Sequence, residues 1–428
     1  MTVGHAASKG YASVFELARS VNSVQAAALH RIFEFSVGHP RCRATPQLRE
    51  KYGVKEDNSQ SVLRISNKVT LAQCWFNEER TRKPQTFAAA ASEASAFDPT
   101  AGGTKGCDFC SYPQLTAEGT WGRAEGPYAI SASNLFKYVQ PAQGVILFKH
   151  HDPLRFNLEQ LQDLVNVSAD WFDRAAAEAA SADAAIGLPP RALHPLWVWN
   201  CLPRGGASQF HGHAQVMISD APFPAQRHEA EAVLEYDLCG GTMSRGYYQD
   251  VLAAHDEVGL LVRDGAEGDC AFAFASLAPW KDMEVCVHGS SLRSAAFQRL
   301  LFTALRALVD ELGVATFNAA IHNIPLPPPA APSEAGSAGT RSASSGSVAA
   351  SAASSASGFL AASPRGAPLP VVARIVSRGK LSSAASDFGG LEVFGGASIG
   401  HTDPFKVAAA LRAVHATLPP ARPAVPAA

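Results

Sequence analysis

The sequence lacks an excess of charge of either sign. Its 36 Lys and Arg residues nearly balance 38 Asp and Glu residues, which gives a formal net charge of −2 over 428 residues. Such a balance excludes a global field that would attract nucleic acid or anionic lipid. We therefore expect neither nucleic acid nor a membrane as a partner, and any phosphate group must be held by a local site.

Long apolar runs and a dense cysteine framework are also missing. No stretch approaches the ~20 consecutive apolar residues of a membrane span. The first residues, MTVGHAASKGYASVFELARS, do not join a basic start to an apolar run as a secretion signal does. Of the eight cysteines only Cys107 and Cys110 are closely spaced, which favours a reducing compartment. These absences predict a cytoplasmic protein, and a hydrophobic content of 47% is sufficient for a large core.

Large apolar side chains are scarce in one internal segment. Residues 327–368 are mostly Pro, Ala, Ser and Gly and include SASSGSVAASAASSASG. Because so few large apolar residues cannot offset the entropy of ordering, we predict a disordered insertion. A long excursion of this kind usually leaves the surface of a domain, so the flanks HNIP and LPVVARIVSRG are expected to be neighbours in space. The tail, 419–428, is also predicted to be disordered.

The remaining chain contains two segments with the same order of strand, helix, strand, loop and strand. We predict elements at 145–148, 157–178, 196–200 and 209–219, and then at 283–287, 294–312, 315–322 and 371–377. WVWN is matched by TFNAAIH, and AQVMIS by VARIVSR, which places Arg374 where the first copy has a polar strand residue. We interpret this as a duplication, although an α+β chain can repeat such an order by chance.

The predicted domain organisation follows from this interpretation. A partly helical N-terminal extension occupies 1–100, the first unit 101–240, and the second, interrupted unit 241–418. The predicted fold class is α+β, with two related units that have antiparallel sheets and helices packed on one face. This arrangement allows one continuous sheet.

The residues with the clearest chemistry lie in NCLPRGGASQFHGHAQVMIS, residues 200–219. Side chains alternate along a strand, so His211, His213 and Gln215 are expected to project from one face. The preceding loop, from Arg204 to Ser208, contains two glycines whose backbone N–H groups can approach phosphate oxygens closely. The sequence therefore predicts a phosphate-binding site beside a pair of imidazoles.

A neutral imidazole can attack phosphorus and then leave, as nucleotidyl transfer requires. His213 suits this role if an acceptor, commonly a backbone carbonyl, fixes the proton on its other ring nitrogen. Gln215, Ser208 and the loop amides would donate to the phosphoryl oxygens. The alternative is that the two histidines are exposed strand residues or a metal pair, but a Gly-rich loop before His-x-His-x-Gln is uncommon by chance.

This motif resembles the histidine triad superfamily, and within it the galactose-1-phosphate uridylyltransferase branch. The branch has an Asn, a short glycine-containing spacer, and Gly-x-Ser-x-x-His-x-His-x-Gln. The matching residues are Asn200, Gly206, Ser208, His211, His213 and Gln215. The resemblance implies that His213 is the covalent nucleophile, that Asn200, Ser208 and Gln215 contact phosphate or orient the ring, and that the protein has two related halves.

The same branch includes phosphorylases of sugar nucleotides and dinucleoside polyphosphates. Galactose transferases usually have proline between the two histidines, whereas this chain has Gly212. This departure weakens the assignment of galactose as the substrate and leaves the histidine chemistry unchanged. The resemblance also implies a homodimer.

Cys107 and Cys110, in KGCDFCSYP, have the spacing at which two thiolates can bind one tetrahedral Zn²⁺. Family members with structural zinc supply the other ligands from the segment after the first strand and from the first histidine of the motif. By this resemblance the ligands are His211 and either His151 or His150 in LFKHHDPLRF, although the family histidine usually falls at the position of Asp152. The alternative is a pair of ordinary buried or redox-active cysteines.

Two further groups are weaker candidates. Arg227, His228 and Glu229 begin a predicted helix, 225–236, for which we favour a surface position over a second metal site. Arg374 and Arg378 lie on or beside a predicted strand, where an arginine could neutralise a substrate phosphate.

The leading hypothesis is a nucleotidyltransferase that takes a nucleoside monophosphate from a nucleotide sugar and passes it to a sugar 1-phosphate. A phosphorylase with inorganic phosphate as the acceptor would use the same residues. A non-catalytic nucleotide-binding protein is a third reading, which the intact motif disfavours. A zinc-dependent hydrolase is a fourth, and the sequence offers no general base for it.

Overall fold

The computed structural model describes residues 10–23, 26–77, 79, 104, 106–189, 191–239, 244–327, 369–379 and 387–419. The predicted disorder at 327–368 and 419–428 therefore lies almost entirely outside the described residues. No helix within the described ranges combines the length and apolar character needed to cross a membrane.

Ten α-helices are assigned in the described residues. They are α1 (Val14–Ser20), α2 (Ala27–Ile32), α3 (Pro46–Tyr52), α4 (Tyr112–Leu115), α5 (Leu158–Ala185), α6 (Pro224–Cys239), α7 (Tyr247–Glu257), α8 (Ala295–Arg306), α9 (Gly390–Gly395) and α10 (Pro404–Thr417). Short 3₁₀ segments occupy Val21–Ser23 and Pro203–Gly205, and a π-helical turn, Ala307–Glu311, extends α8.

Fifteen strands are assigned in the same residues. They are β1 (Phe33–Gly38), β2 (Arg41–Arg43), β3 (Asp57–Ser59), β4 (Val62–Asn67), β5 (Gln73–Asn77), β6 (Ala129–Ser133), β7 (Pro141–Phe148), β8 (His194–Asn200), β9 (His213–Ser219), β10 (Leu261–Ala266), β11 (Asp269–Ala275), β12 (Val285–Gly289), β13 (Phe317–His322), β14 (Val371–Ser377) and β15 (Ala397–Gly400).

Nine strands form one continuous sheet in the order β10-β11-β12-β14-β13-β8-β9-β7-β6. Read outward from the central β13-β8 pair, the order β13, β14, β12 and β11 repeats the order β8, β9, β7 and β6, and β10 adds a fifth strand to the second half. All neighbours within the sheet are antiparallel. The α+β fold of two related units is thereby confirmed. The flanks of the insertion are neighbours as predicted, because β13 and β14 pair directly.

The helices α5 and α8 cover one face of this sheet, where the largest side chains are buried. Trp197 and Trp199 of β8 are completely buried, and the Trp197 indole donates to Ser168 Oγ of α5 at 3.0 Å. Helix α5 begins at a capping box in which Asn157 and Gln160 satisfy each other's backbone N–H groups. This packing leaves the opposite face of β9 to carry His213 and Gln215.

A second sheet was not predicted. Strands β1, β4 and β5 of the N-terminal extension pair in order, and β15 from the C-terminal part adds to β5 in parallel. The extension, predicted to be partly helical, therefore also contains strands. The predicted boundaries of the two units, 101–240 and 241–418, remain predictions.

A buried histidine outside the motif generates a prediction about pH. The His255 Nδ1–H group donates to the Val251 carbonyl at 2.8 Å, and Nε2 accepts from the Leu277 N–H at 3.3 Å. Burial lowers the pKa of His255 to about 4. The ring is therefore neutral in the folded protein, whereas it takes up a proton below its ordinary pKa of ~6.5 when unfolded.

The free energy of unfolding is accordingly expected to fall as the pH drops from about 6.5 towards 4. His255→Gln, which cannot titrate, should remove on the order of 2–3 kcal/mol of this pH dependence. Urea unfolding at a series of pH values measures it, with the exposed His401→Gln as the control. An unchanged slope in His255→Gln would contradict the prediction.

Candidate active site and metal centre

The four predicted metal ligands lie together. Cys107 and Cys110 precede α4, His151 follows β7, and His211 precedes β9. Their ligand atoms all fall within 4.8 Å of one another. Metal–ligand bonds of about 2.0–2.3 Å in a tetrahedral site separate the ligand atoms by roughly 3.3–3.8 Å. The distances from Cys110 Sγ to Nδ1 of His151 and His211, 3.3 and 3.4 Å, agree with this spacing, as does 3.6 Å from Cys107 Sγ to His211 Nδ1.

The orientation of the His211 ring also suits a metal ligand. Nδ1 faces the two sulfur atoms, and the Nε2–H group donates to the Phe148 carbonyl at 2.7 Å. Metal-bound histidines commonly donate their second ring N–H in this way, which fixes the ring. With both nitrogens engaged, His211 is placed to hold a metal rather than to touch a substrate. His150, the alternative to His151, instead packs on the Phe148 ring at 4.7 Å.

His213, the predicted nucleophile, is buried and held by its neighbour in the motif. Its Nδ1–H group donates to the His211 carbonyl at 2.7 Å. The Phe109 ring, from between the two cysteines, meets the imidazole edge-on at 5.1 Å between centroids. Burial lowers the pKa of His213. A neutral ring with its proton on Nδ1 leaves the lone pair on Nε2.

Gln215 shares the face of His213, two residues farther along β9. Its Oε1 accepts from the Tyr138 hydroxyl at 2.7 Å and faces Gln143 Nε2 at 3.5 Å. Sequence reasoning missed both partners. The pairing of β7 with β9 places Gln143 near Gln215, but no local pattern in the sequence reveals that contact.

The glycine loop follows β8 and leads towards the two histidines. Gly206 has a φ of +95°, a conformation that favours glycine. A Cβ atom on Gly205 would lie 2.8 Å from the Phe317 carbonyl oxygen, so the backbone can approach β13 closely only at glycine. Ser208 is exposed, and Arg204 Nε donates to the Arg378 carbonyl at 2.6 Å. Arg204 is thus tied to the second unit.

The strand that carries the motif begins later than predicted. We expected a strand over 209–219, whereas β9 starts at His213. The Gly212 N–H group donates to the His151 carbonyl and its own carbonyl accepts from Phe148 N–H, at 3.1 and 3.0 Å. These bonds hold His211 at the metal cluster, just outside the ladder.

A second polar cluster lies on the same face of the sheet, beneath α6 and α7. Glu229 is buried, so the surface position predicted for this helix is wrong at that residue. Arg374, the proposed phosphate ligand, instead pairs with Glu229 and Glu284 at 3.2 and 3.0 Å. The Nε2 atom of His322 lies 3.7 Å from Glu229. Arg374 therefore pairs with buried carboxylates.

Comparisons with known proteins address the fold. No family model matches the sequence, and no curated protein shows significant similarity to it. Among solved structures, an ADP-glucose phosphorylase from Arabidopsis thaliana with bound ADP-glucose superposes with a TM-score of 0.52 at 13% identity, over 80% of this chain and 96% of that one. The chain has the fold of this phosphorylase. The resemblance predicted from the motif is confirmed at the level of the fold.

Two further structures match less well. A GalT-like protein from Arabidopsis thaliana has a TM-score of 0.48 and 15% identity over 72% of this chain and 92% of that one. A uridylyltransferase has a TM-score of 0.46 and 18% identity over 68% of this chain and 86% of that one.

Replacing one sulfur ligand tests the metal centre. Cys110→Ser removes a thiolate that lies within 3.4 Å of both ligand imidazoles. We expect the bound metal to fall to a small fraction of the wild-type content, with a lower melting temperature, because metal binding and folding are coupled. Elemental analysis after dialysis measures the metal, and the exposed Cys42→Ser is the matched control. Full zinc occupancy in Cys110→Ser would rule out this ligand set.

Gly212 allows a separate test of packing. A Cβ atom there would lie 2.8 Å from Phe148 Cδ2 and 3.1 Å from Pro153 Cα. Gly212→Ala is therefore expected to lower the free energy of unfolding by about 1–3 kcal/mol through overpacking. Gly38→Ala, where a Cβ meets nothing within 4 Å, serves as the control in the same denaturation measurements. Equal stabilities of the two variants would contradict the expected clash.

Proposed function

We propose that the protein is a nucleotidyltransferase that acts on nucleotide sugars through a covalent nucleotidyl intermediate on His213. The observation that supports this most strongly is the hydrogen bond from Nδ1–H to the His211 carbonyl at 2.7 Å. It sets the tautomer in which Nε2 carries the lone pair. A buried imidazole fixed in this form, beside an amide and a glycine loop, suits attack on phosphorus.

In the first step Nε2 of His213 attacks the α-phosphorus of the nucleotide. An N–P bond forms, the bond from phosphorus to the bridging oxygen breaks, and sugar 1-phosphate leaves with the electron pair. In the second step an oxygen of the acceptor phosphate attacks the same phosphorus and the N–P bond breaks. Asn200, Gln215, Ser208 and the amides near Gly206 are the proposed donors to the phosphoryl oxygens.

The metal centre is proposed to bind zinc in a structural role. Two thiolates and two imidazoles are a ligand set typical of closed structural zinc sites. Cys107, Cys110, His151 and His211 would hold the ion, which would supply a rigid crosslink between the segment before α4 and the start of β9. His211 then presents its carbonyl to His213 from a fixed position.

Sugar nucleotides are the proposed substrate class, and two acceptors are candidates. A hexose 1-phosphate would make the reaction like that of galactose-1-phosphate uridylyltransferase. Inorganic phosphate would make it a phosphorolysis, which is favoured by the likeness in fold to an ADP-glucose phosphorylase and by Gly212 in place of proline. We carry phosphorolysis as the second candidate.

Intact-mass measurement tests the covalent step. After brief incubation with ADP-glucose, UDP-glucose or a GDP-sugar, the wild-type protein should gain the mass of one nucleotidyl group, a nucleoside monophosphate less one water, with its preferred donor. His213→Ala should gain none, while the exposed His401→Ala should behave as the wild type. The base of the donor that yields the adduct identifies the nucleotide.

The isolated adduct then distinguishes the acceptors. Release of a nucleoside diphosphate on adding inorganic phosphate indicates phosphorolysis. An adduct that inorganic phosphate leaves intact, but that forms a new nucleotide sugar with a hexose 1-phosphate different from the one released by the donor, indicates transfer between sugars. If the protein binds nucleotide but forms no adduct with any donor, the covalent mechanism is wrong and a non-catalytic binding protein is favoured. Nucleoside monophosphate released without an adduct would favour a hydrolase.

A further inference from the structure

An amide from the second unit contacts the proposed phosphate site of the first. Asn318 lies on β13, directly opposite Asn200 of β8 in the central strand pair. Its Nδ2 donates to Asn200 Oδ1 at 2.7 Å and to the Gly205 carbonyl at 2.6 Å. One side chain therefore connects both the end of β8 and the glycine loop to the second half of the sheet.

The surroundings of Asn318 fix which of its atoms is nitrogen. A backbone carbonyl can only accept, so the atom that faces Gly205 must be the NH₂ group. A guanidinium can only donate, and Arg378 Nη1 lies 2.6 Å from Asn318 Oδ1. Asp387 anchors Arg378 in turn, at 2.7 and 3.1 Å. The Asn318 amide thus has one allowed orientation.

The orientation of Asn318 determines that of Asn200. Because an NH₂ group of Asn318 points at it, the Asn200 atom at that contact must be the accepting oxygen. The Nδ2 group of Asn200 is then turned away from Asn318, and no group in the described part of the chain accepts a hydrogen bond from it. Asn200 consequently offers a donor, rather than an acceptor, to a ligand beside the glycine loop.

The side-chain amide of Gln215 is also oriented with its oxygen engaged and its NH₂ group available. Gln143 Oε1 accepts from the backbone N–H groups of Tyr138 and Val139, at 2.8 and 3.2 Å, so Gln143 Nε2 faces Gln215. The Tyr138 hydroxyl adds a bond to the same Gln215 oxygen at 2.7 Å. The oxygens of Asn200 and Gln215 are thus both occupied, which leaves their NH₂ groups for an anionic ligand such as a phosphoryl group.

We propose that Asn318 is a positioning residue for the reaction, which acts through Asn200 by holding its NH₂ group towards the α-phosphoryl group. This inference rests on the proposed function. The second unit, which lacks a histidine pair of its own, thereby contributes to the chemistry of the first through Asn318, Arg378 and Asp387.

Asn318→Asp is the sharpest test. The carboxylate keeps its bond from Arg378 but cannot donate, so Asn200 must turn its NH₂ group towards residue 318 and its oxygen towards the phosphoryl group. Loss of one preorganised donor typically lowers kcat about 10²–10³-fold. We expect the single-turnover rate of adduct formation to fall on the order of 10²-fold, with a smaller change in KM. Asn318→Ala, which adds no charge, should lower that rate by at least about tenfold.

A second background separates positioning from a general structural effect. If Asn318 acts through Asn200, Asn318→Asp should change the rate by less than about twofold in a protein that already carries Asn200→Ala. Asn166→Asp, on α5, retains the oxygen that accepts from Gln298 and is the matched control, expected to react at the wild-type rate. Zinc content and melting temperature are measured for every variant.

Three outcomes would overturn the inference. One is a wild-type rate in both Asn318 variants, and another is an equal loss of rate with and without Asn200→Ala. The third is a variant that loses zinc or has a lower melting temperature, and whose rate of adduct formation equals that of the wild type once it is divided by the folded fraction. A wild-type protein that forms no adduct with any donor would instead remove the proposed function, and this inference with it.

Discussion

The hydrogen bond from His213 to the carbonyl of His211 is the interaction on which the site depends. It links two residues with different roles. The ring of His211 faces two cysteine sulfurs, and the backbone carbonyl of His211 orients the ring of His213. The His211 carbonyl can fix the orientation of the His213 ring only if His211 itself is held in place. The Phe148 carbonyl and the sulfur cluster hold the His211 ring at both nitrogens, and this double anchoring makes the orientation of His213 a property of the fold rather than of one side chain.

The continuous sheet gives its two halves different electrostatic roles. A row of cross-strand partners runs across the sheet: Gln215 is opposite Val198, Val198 is opposite Ala320, and Ala320 is opposite Arg374. Because directly opposite residues project from the same face, Gln215 and Arg374 occupy one face of the sheet. In the first half this face carries the carboxamide of Gln215 and the buried imidazole of His213. In the second half it is closed by α6 and α7, and Arg374 pairs there with Glu229 and Glu284. Buried carboxylates of this kind are stable only with a paired cation, which Arg374 supplies.

The predictable parts of the structure were those encoded within a few residues. Alternation along a strand placed His213 and Gln215 on one face, and the spacing of Cys107 and Cys110 identified half of the metal cluster. The sequence could not reveal that Asn318 donates to Asn200, or that Glu229 is buried against Arg374, because these contacts join residues more than 100 positions apart. The periodicity of the helix could not predict that Glu229 is buried either. A glutamate in the sequence does not show whether its carboxylate is paired inside the protein or exposed to solvent.

The parallel pairing of β5 with β15 has a consequence for how the chain reaches its fold. Strand β5 ends at Asn77, and its partner begins at Ala397. During synthesis at about 5–20 residues per second, the edge of the first strands waits on the order of tens of seconds before its partner exists. During this interval an unpaired strand edge lies in the same sheet as apolar side chains that are buried in the folded protein, including Leu63, Ile65 and Phe76. One edge of the N-terminal sheet therefore stays unpaired until β15 has been synthesised and pairs with β5.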